Sequence, residues 1–226
     1  MKGTEFRYFF KYHFGTSYPY RKYFKKHKVI FIHIPKTAGT SVLSALAGGG
    51  KIRRDHTPWS VYSSINRWRF ARYFTFTFVR NPYDRAVSTY EYLAGGGNGM
   101  DDMVFKTYFE AHGIDFDRFV LEYLDCDKLL QHELFRPQYV YIYDFHENLM
   151  VDYVGRFETI EKDYAALSEK IGLSRELPKK NMSNRSRSYR EYYKNPKVAA
   201  RILELYGKDF DLLGYDQAVG GADVQA

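Results

Sequence analysis

The sequence predicts an α/β fold, a single domain with a mostly parallel central sheet flanked by helices. Two apolar segments, 28–34 and 73–79, each predict a strand, and a helical pattern follows each of them directly. Apolar residues lie on both faces of the predicted strand 28–34, as is usual for the buried strands of parallel sheets. Strands that alternate with helices imply parallel pairing. A length of 226 residues suits one such domain better than two small ones.

The first half of the chain carries the clearest local signals. A helix is predicted over 40–47, where apolar residues recur at helical spacing, and the glycines at 48–50 end it. A basic connection with one or two helical turns then leads to the strand at 73–79, in which Phe alternates with Thr.

The second strand leads into a helix with a well-marked start. Asn81 is a good N-cap and Pro82 a good first helical residue, so we expect a helix over 82–93. The glycine-rich segment 94–102 predicts a flexible loop.

The second half is less regular. Its predicted elements are a helix over 116–124, strands over 138–144 and 154–160, a helix over 160–171, a surface loop followed by a helix within 177–193, and a last helix that begins at Asn195-Pro196. We therefore divide the chain into a basic aromatic N-terminal arm (1–27), the α/β domain (28–216) and a disordered tail (217–226).

Composition restricts the classes of partner. The net charge of +7 favours anionic partners such as nucleotides, nucleic acids, acidic glycans or a membrane surface, which the arm could contact. With one cysteine no internal disulfide can form, which favours a reducing compartment. No apolar stretch reaches the roughly 20 residues of a membrane span, the arm has no signal-peptide core, and no spacing of metal ligands occurs.

The segment after the first strand predicts a P-loop-like anion site. A loop that opens a helix at the carboxyl end of a strand offers backbone N–H groups and a positive dipole. Lys36 supplies a mobile charge, Gly39 allows close approach, and three hydroxyls can donate to phosphate, those of Thr37, Thr40 and Ser41. A triphosphate loop reads G-x-x-x-x-G-K-S/T. Here the lysine precedes the glycine, so we expect fewer phosphates.

A second anion site is predicted after the second strand. Arg80 ends that strand and Ser88 lies two turns into the next helix, so both can reach the same edge of the sheet. Two separated sites suit a nucleotide with phosphates at both ends of its ribose. The alternative for Arg80 is a salt bridge with Asp84 or Glu91, and for Asp84 and Arg85 charge pairing at the helix start is the better interpretation.

These residues carry a family resemblance. "HIPKTAGTS" at 33–41 and "FTFVRNPYDRAVSTYEY" at 76–92 resemble the two donor-binding motifs of sulfotransferases that use 3′-phosphoadenosine 5′-phosphosulfate (PAPS). The closer likeness is to the carbohydrate group (sulfotransferase family 2), related to the heparan-sulfate and chondroitin enzymes. Similar segments continue downstream, so that the resemblance covers 28–216.

The resemblance implies roles for individual residues. PAPS would be the co-substrate, and Lys36 would stabilise the departing phosphate at the bridging oxygen. Arg80 and Ser88 would bind the 3′-phosphate, and Ser183 would belong to a segment that closes over the donor. The 5′-phosphosulfate would be bound by Pro35, Lys36, Thr37, Ala38, Gly39, Thr40 and Ser41.

The resemblance also implies a catalytic base. His56 lies between the two motifs, where the carbohydrate enzymes carry a histidine, and an imidazole can take a hydroxyl proton. The alternative base is a nearby Glu or Asp. Asp55 either orients His56 or pairs with Arg53 or Arg54. Five arginines that we expect near the base either receive an acidic sugar chain or form a solvated face: Arg53, Arg54, Arg67, Arg69 and Arg72.

The resemblance therefore implies transfer of a sulfuryl group from PAPS to a hydroxyl of a carbohydrate acceptor, with acidic glycans among the candidate acceptors. The absence of an apolar anchor predicts a cytoplasmic protein of the bacterial type. Two alternatives stay open. A small-molecule kinase or another nucleoside-triphosphate enzyme would also use a phosphate loop, and a nucleic-acid-binding protein would suit the charge, although no nucleic-acid recognition module occurs in the sequence.

Overall fold

The computed structural model describes residues 18–125, 127–128, 132–174, 176–178 and 187–221. The strands are β1 (Val29–Phe31), β2 (Phe74–Val79) and β3 (Tyr153–Arg156). The helices are α1 (Lys22–His27), α2 (Gly39–Leu46), α3 (Trp59–Ile65), α4 (Arg67–Arg72), α5 (Pro82–Ala94), α6 (Met103–His112), α7 (Phe116–Arg118), α8 (Tyr139–Ile142), α9 (Ile160–Ile171) and α10 (Pro196–Leu213). A π-helical turn (Phe119–Tyr123) follows α7, and a 3₁₀ turn (Tyr189–Tyr192) precedes α10.

The described strands form one parallel sheet in the order β1-β2-β3. β1 and β2 pair in parallel, with Val29 opposite Phe74. β3 runs the same way, since the Asp152 N–H donates to Thr75 O at 2.9 Å and Gly155 packs against the Phe78 ring. Helices follow each strand, so the predicted α/β fold with a mostly parallel sheet flanked by helices is confirmed.

The described residues group into two compact units that alternate along the chain. The first takes its residues from 18–34, 38–78 and 141–178, and the second from 35–37, 79–140 and 187–221. The first unit contains the body of the sheet together with α1 to α4 and α9. Its core is built by fully buried residues of the strands and the helix after β3, among them Ile30, Phe31, Phe76 and Leu167.

The second unit has an aromatic core. α5 packs on α10, and the ring of Tyr83 lies 4.8 Å from Phe210 and 5.0 Å from Tyr193. Phe119, in the π-helical turn, lies 5.9 Å from Phe135. Offset and edge-on ring pairs of this kind add to the stabilisation from burial, which accounts for a part of the high aromatic content.

The predicted helix starts at Asn81 and Asn195 are observed. The side chain of Asn81 accepts from the Tyr83 N–H at 3.0 Å, and that of Asn195 accepts from the Lys197 N–H at 3.1 Å. A proline follows each asparagine as the first helical residue. Both asparagines therefore cap their helices as the sequence predicts.

The strand predicted over 138–144 is wrong, because these residues begin with the helical turn α8. The buried carboxylate of Asp209 accepts from the N–H groups of Gln138 and Tyr139, both at 2.8 Å. An acceptor for two successive N–H groups favours the start of a helix over a strand. The Gln138 side chain also exchanges two hydrogen bonds with the backbone of Arg80.

Replacing Asp209 with alanine should lower the free energy of unfolding by about 3 kcal/mol, because two buried N–H groups lose their acceptor. Burial raises the pKa of this carboxyl, and Arg85 and the two amides oppose that effect. Urea unfolding measures the change. The control is Asp211→Ala on the exposed side of the same helix, which should change stability by less than about 0.5 kcal/mol. Equal effects of the two substitutions would refute the capping role.

The two chain ends bear on the predicted domain boundaries. Tyr20 and Phe24, within the predicted arm, are buried in the first unit. Gln217, in the predicted tail, accepts a hydrogen bond from the Tyr83 hydroxyl at 2.7 Å. Residues 1–17 and 222–226 lie outside the described residues, and the domain boundaries stay predictions.

Candidate active site

The loop between β1 and α2 has an unusual backbone. Lys36 and Ala38 have φ values of 68° and 63°, in the left-handed region that residues with a side chain rarely adopt. Each such residue costs about 1 kcal/mol or more, and such strain concentrates at functional sites. Thr37 between them has negative φ, and alternating φ signs direct successive N–H groups toward one side. Such an alternation is typical of loops that bind anions.

The helix after this loop begins without a side-chain cap. Ala38 is the N-cap of α2 and offers no side-chain acceptor, and the Ser41 N–H turns back to Ala38 O at 3.0 Å. The positive end of the helix dipole therefore faces the loop without a neutralising side chain at the cap. Of the predicted hydroxyls, those of Thr37 and Ser41 belong to buried residues and that of Thr40 to a half-buried one.

The second unit brings Lys36 and Arg80 together. The backbone carbonyl of Lys36 accepts from Arg80 Nη1 at 3.1 Å. The Lys36 ammonium lies 3.9 Å from the centre of the Tyr92 ring, a cation–π contact. The loop lysine is therefore held by its backbone at Arg80, just before α5, and by its side chain at Tyr92 on α5.

Arg80 is buried and forms an ion pair. Its Nε donates to Asp84 Oδ2 at 2.7 Å, which is one of the two salt bridges considered from the sequence. Glu91, the other candidate, accepts from the Tyr192 hydroxyl at 2.6 Å. Charge pairing is confirmed for Asp84. The Arg85 side chain instead donates to the carbonyls of Pro35, Leu134 and Arg136, so charge pairing is not confirmed for Arg85.

Ser88 lies between these contacts on one face of α5. Asp84, Ser88 and Tyr92 are four residues apart, so they line the same side of the helix. Arg80 bonds the first of them and Lys36 contacts the last. Three residues predicted to bind the cofactor, Lys36 from the first motif and Arg80 and half-buried Ser88 from the second, therefore lie along one strip of the second unit.

The first unit fixes the orientation of His56. Its Nδ1 lies 3.1 Å from the backbone oxygen of His33. A carbonyl oxygen can only accept, so Nδ1 carries a proton, and in the neutral imidazole Nε2 then holds the lone pair. The two imidazole rings lie 4.2 Å apart. The half-buried His56 side chain is thus in the tautomer that a proton acceptor needs at Nε2.

His33 is the buried partner of this pair. Burial, and next the neighbouring His56 and Arg54, lower the pKa of His33 well below its usual value. Its Nδ1 has no hydrogen-bond partner among the described residues. His33 therefore stays neutral near pH 7, and no positive charge forms beside His56 from this ring.

Asp55 does not orient His56. Its carboxylate pairs with Arg21, whose Nε donates at 2.8 Å and whose Nη2 also contacts it. The ion-pair partner of Asp55 is therefore Arg21, and not Arg53 or Arg54, the two partners considered from the sequence. Asp55 instead attaches the segment before α1 to the segment that carries His56.

The arginine cluster expected near His56 is divided by the fold. Arg53 and Arg54 are exposed and lie three and two residues before His56. Arg67, Arg69 and Arg72 lie on α4, which enters the amino end of β2, whereas His56 bonds the carbonyl of His33 beyond the carboxyl end of β1. Arg72 therefore lies at the amino end of β2, away from His56, and for this arginine the expected position near the base is wrong.

Gly39 is required by the His33 ring. A Cβ at this position would overlap the ring at Cδ2 and Nε2. Gly39→Ala should therefore displace His33 and lower the free energy of unfolding by about 1–3 kcal/mol, measured by urea unfolding. Gly207→Ala on α10 is the matched control, because nothing lies within 4 Å of its added methyl, and it should leave stability unchanged or raise it by up to about 1 kcal/mol. A neutral Gly39→Ala protein would contradict the packing described.

Comparison with known proteins identifies the family. A sequence profile of the sulfotransferase family matches residues 22–216, which spans both units. The chain belongs to the sulfotransferase family. Membership supports sulfuryl transfer as the class of reaction and a transferase as the class of enzyme.

Two relatives match this sulfotransferase. An uncharacterized protein of Archaeoglobus fulgidus is 28% identical over 119 residues, which cover 53% of this chain and 84% of the relative. Carbohydrate sulfotransferase 14 of Danio rerio is 24% identical over 225 aligned residues, which cover 84% of this chain and 60% of the relative. The match therefore spans somewhat over half the length of the zebrafish protein. No solved structure matches.

Three further observations concern the predictions made for this sulfotransferase. Ser183 lies outside the described residues. No group of three or more potential metal ligands occurs in the described part of the chain. None of the described helices is long and apolar enough to cross a membrane.

The sequence interpretation missed two residues of this site. Tyr92 holds the Lys36 ammonium, and its spacing of four residues from Ser88 is the signal that could have indicated it. His33 was interpreted as structural, yet its carbonyl fixes the tautomer of His56. Because that bond uses a backbone atom, no sequence signal points to it.

Proposed function

We propose that this sulfotransferase transfers the sulfuryl group of PAPS to a hydroxyl of a carbohydrate acceptor by in-line displacement. The observation that carries the proposal is the convergence of Lys36 and Arg80 on the Asp84–Ser88–Tyr92 face of α5, beside a loop with alternating φ signs. Two cations and a hydroxyl are a donor set suited to the phosphates of a nucleotide.

We place the 5′-phosphosulfate on the first loop. Backbone N–H groups and the hydroxyls of Thr37, Thr40 and Ser41 would donate to its oxygens, together with the positive end of α2. Ala38 and Gly39 would contribute backbone N–H groups only, and Pro35, which has no N–H, would contribute by its fixed backbone conformation. The loop lacks the leading glycine of a triphosphate loop and presents its lysine before the glycine, which favours a single 5′-linked group.

We place the 3′-phosphate at Arg80 and Ser88. A guanidinium has five N–H donors, so it can hold a carboxylate, a carbonyl and a phosphate oxygen together. The ion pair with Asp84 keeps the Arg80 side chain in place. Ser183 would contribute from the segment that the family resemblance assigns to closure over the donor.

Lys36 would stabilise the leaving group. As the bond between sulfur and the bridging oxygen breaks, negative charge grows on the nucleotide phosphate, and an ammonium beside that oxygen lowers the barrier. The Tyr92 ring restricts the ammonium to one side of the loop. Such preorganisation avoids the cost of orienting the charge during the reaction.

His56 would be the base. The acceptor oxygen forms a bond to sulfur as its proton passes to the Nε2 lone pair, while Nδ1–H stays on the His33 carbonyl. His33 and Lys36 are three residues apart, so the covalent chain limits their Cα separation to about 11 Å. Products are the sulfated hydroxyl, a protonated His56 and 3′-phosphoadenosine 5′-phosphate (PAP).

The acceptor class rests on the zebrafish relative, which is named a carbohydrate sulfotransferase. We extend a carbohydrate acceptor to this chain, with Arg53 and Arg54 beside His56 as cations for an acidic sugar. We also propose that the protein is cytoplasmic, which its single cysteine supports. We propose no nucleic-acid partner.

Transfer of radiolabelled sulfur from PAPS tests this proposal. The purified chain should label at least one member of a panel of unsulfated chondroitin, dermatan, heparosan and neutral glycans, and release PAP in equal amount. Transfer of label from γ-labelled ATP, with none from PAPS, would instead support the kinase alternative and contradict the proposal.

A further inference from the structure

A basic surface lies at the amino end of the sheet, away from the candidate active site. We define this amino-end surface by Lys25, Lys26, Lys28, Arg67, Trp68 and Arg72. The residues that follow α1 and α4 are hydrogen-bonded to each other there. The Phe74 N–H at the start of β2 donates to Lys28 O at 3.1 Å, and Arg72 ends α4 two residues before Phe74.

The segment before α1 also contacts the start of α4. The Tyr20 hydroxyl donates to Asn66 O at 3.0 Å, and the Arg69 guanidinium lies 5.0 Å from the centre of the Tyr20 ring. The lysines of one helix and the arginines of the other therefore belong to one continuous region of the first unit.

The charge of this surface has one sign. Neither 22–28 nor 64–73 contains an Asp or a Glu. Within the described ranges of the chain, no carboxylate forms an ion pair with the five cations that define the surface. Like charges held together without counterions repel one another, and an anionic partner relieves that repulsion.

Large apolar side chains stand among these cations. Trp68 is 63% exposed and Ile65 is 45% exposed. The Arg72 guanidinium lies 4.3 Å from the centre of the Trp68 ring. A tryptophan and an aliphatic residue surrounded by lysines and arginines are the composition of protein faces that rest in the headgroup layer of a bilayer.

The position argues against a role in acceptor binding. Ligands of parallel α/β sheets bind at the carboxyl ends of the strands, and His56 bonds a carbonyl at that end. The six residues of β2 span about 20 Å. A sugar hydroxyl at the base and a contact at the amino-end surface are therefore separate events.

We propose that the amino-end surface binds an anionic phospholipid membrane, with the lysines and arginines on lipid phosphates and Trp68 in the headgroup layer. A soluble polyanion would need the cations alone. An exposed indole with a neighbouring isoleucine favours a partner that also offers an apolar layer. The contact would place the enzyme at the membrane with its carboxyl-end loops facing away.

Vesicle co-sedimentation with the full chain tests the proposal. Vesicles of equal parts phosphatidylglycerol and phosphatidylcholine should bind the protein, and pure phosphatidylcholine should not. Replacing Lys25, Lys26, Arg67 and Arg72 by glutamine should weaken binding by at least about a hundredfold, since each charge near such a surface contributes roughly fivefold. Trp68→Ala should abolish the blue shift of tryptophan emission on binding, because the other tryptophan, Trp59, is half-buried and hydrogen-bonded to Tyr143 O.

Two controls come from the same chain. Phe145→Ala removes another highly exposed aromatic side chain, and Lys162→Gln removes an exposed lysine of α9. Both should leave vesicle binding unchanged. Three results would each overturn the proposal. They are absence of binding, binding that survives the four-glutamine and Trp68→Ala substitutions, and binding to heparin without binding to vesicles. The assay contains no PAPS, so its outcome is independent of the proposed reaction.

Discussion

Replacing Lys36 with alanine should lower kcat for sulfuryl transfer about 10²–10³-fold, the loss typical when one preorganised charge is removed from a developing anion. Stability should change little. The lost contact with Tyr92 is a single cation–π interaction of about 1 kcal/mol, and alanine adopts the same positive φ with similar strain. Steady-state kinetics with PAPS measures kcat, and calorimetry measures the affinity for PAP. Together they separate an effect on turnover from an effect on donor binding.

Lys106→Ala is the matched control for Lys36. Lys106 also belongs to the second unit, and it pairs with Glu110 at 3.8 Å on partly exposed α6. Its loss should leave kcat unchanged. If Lys36→Ala raised only KM for PAPS and kept the wild-type kcat, the lysine would bind the donor without stabilising the departure of its phosphate.

Replacing His56 with asparagine should lower kcat about 10²–10⁴-fold, the usual contribution of a general base. The asparagine amide can still donate to the His33 carbonyl, so the hydrogen bond is retained while the basic nitrogen is lost. Binding of PAP should be unchanged. The decline of kcat at low pH that comes from protonation of the base should disappear from the pH profile.

His112→Asn provides the control for His56. His112 is exposed and makes the same kind of bond, with Nδ1 at 2.9 Å from Tyr108 O. Its replacement should leave both kcat and the pH profile as they are. Wild-type turnover by the His56→Asn protein would transfer the role of base to a carboxylate, the alternative considered from the sequence.

Local signals were sufficient for the two segments that build the candidate site. The apolar strands, the glycines after α2 and the Asn-Pro pair before α5 act within a few residues of one another. Such signals indicate secondary structure wherever the partner of each group lies nearby in the chain. They also placed Lys36 and Arg80 at the carboxyl ends of strands and Ser88 two turns into the helix that follows Arg80.

Contacts between distant segments could not be predicted in this way. The start of α8 depends on Asp209, seventy-one residues after Gln138, so the alternating pattern of 138–144 was interpreted as a strand. Arg85 donates to three carbonyls from two distant segments, that of Pro35 and those of Leu134 and Arg136. A carbonyl is present at every residue, and therefore no residue type marks it as a partner.

Helix α6 shows a related difficulty. The sequence interpretation assigned no element to Met103–His112, because only Phe109 of this helix is buried and the apolar stripe is correspondingly narrow. α6 packs on α5 through aromatic pairs, among them Tyr90 with Phe109 at 6.0 Å. Here tertiary packing, more than periodicity, determines the helix.

Isothermal titration with PAP and with ATP tests the central claim most directly, since the donor site must distinguish a nucleotide phosphorylated at 3′ and 5′ from a triphosphate. The account predicts selective binding of PAP that weakens on Ser88→Ala and is lost on Arg80→Ala, with the fold of each variant checked by circular dichroism. Equal binding of PAP and ATP, or binding of neither, would contradict it.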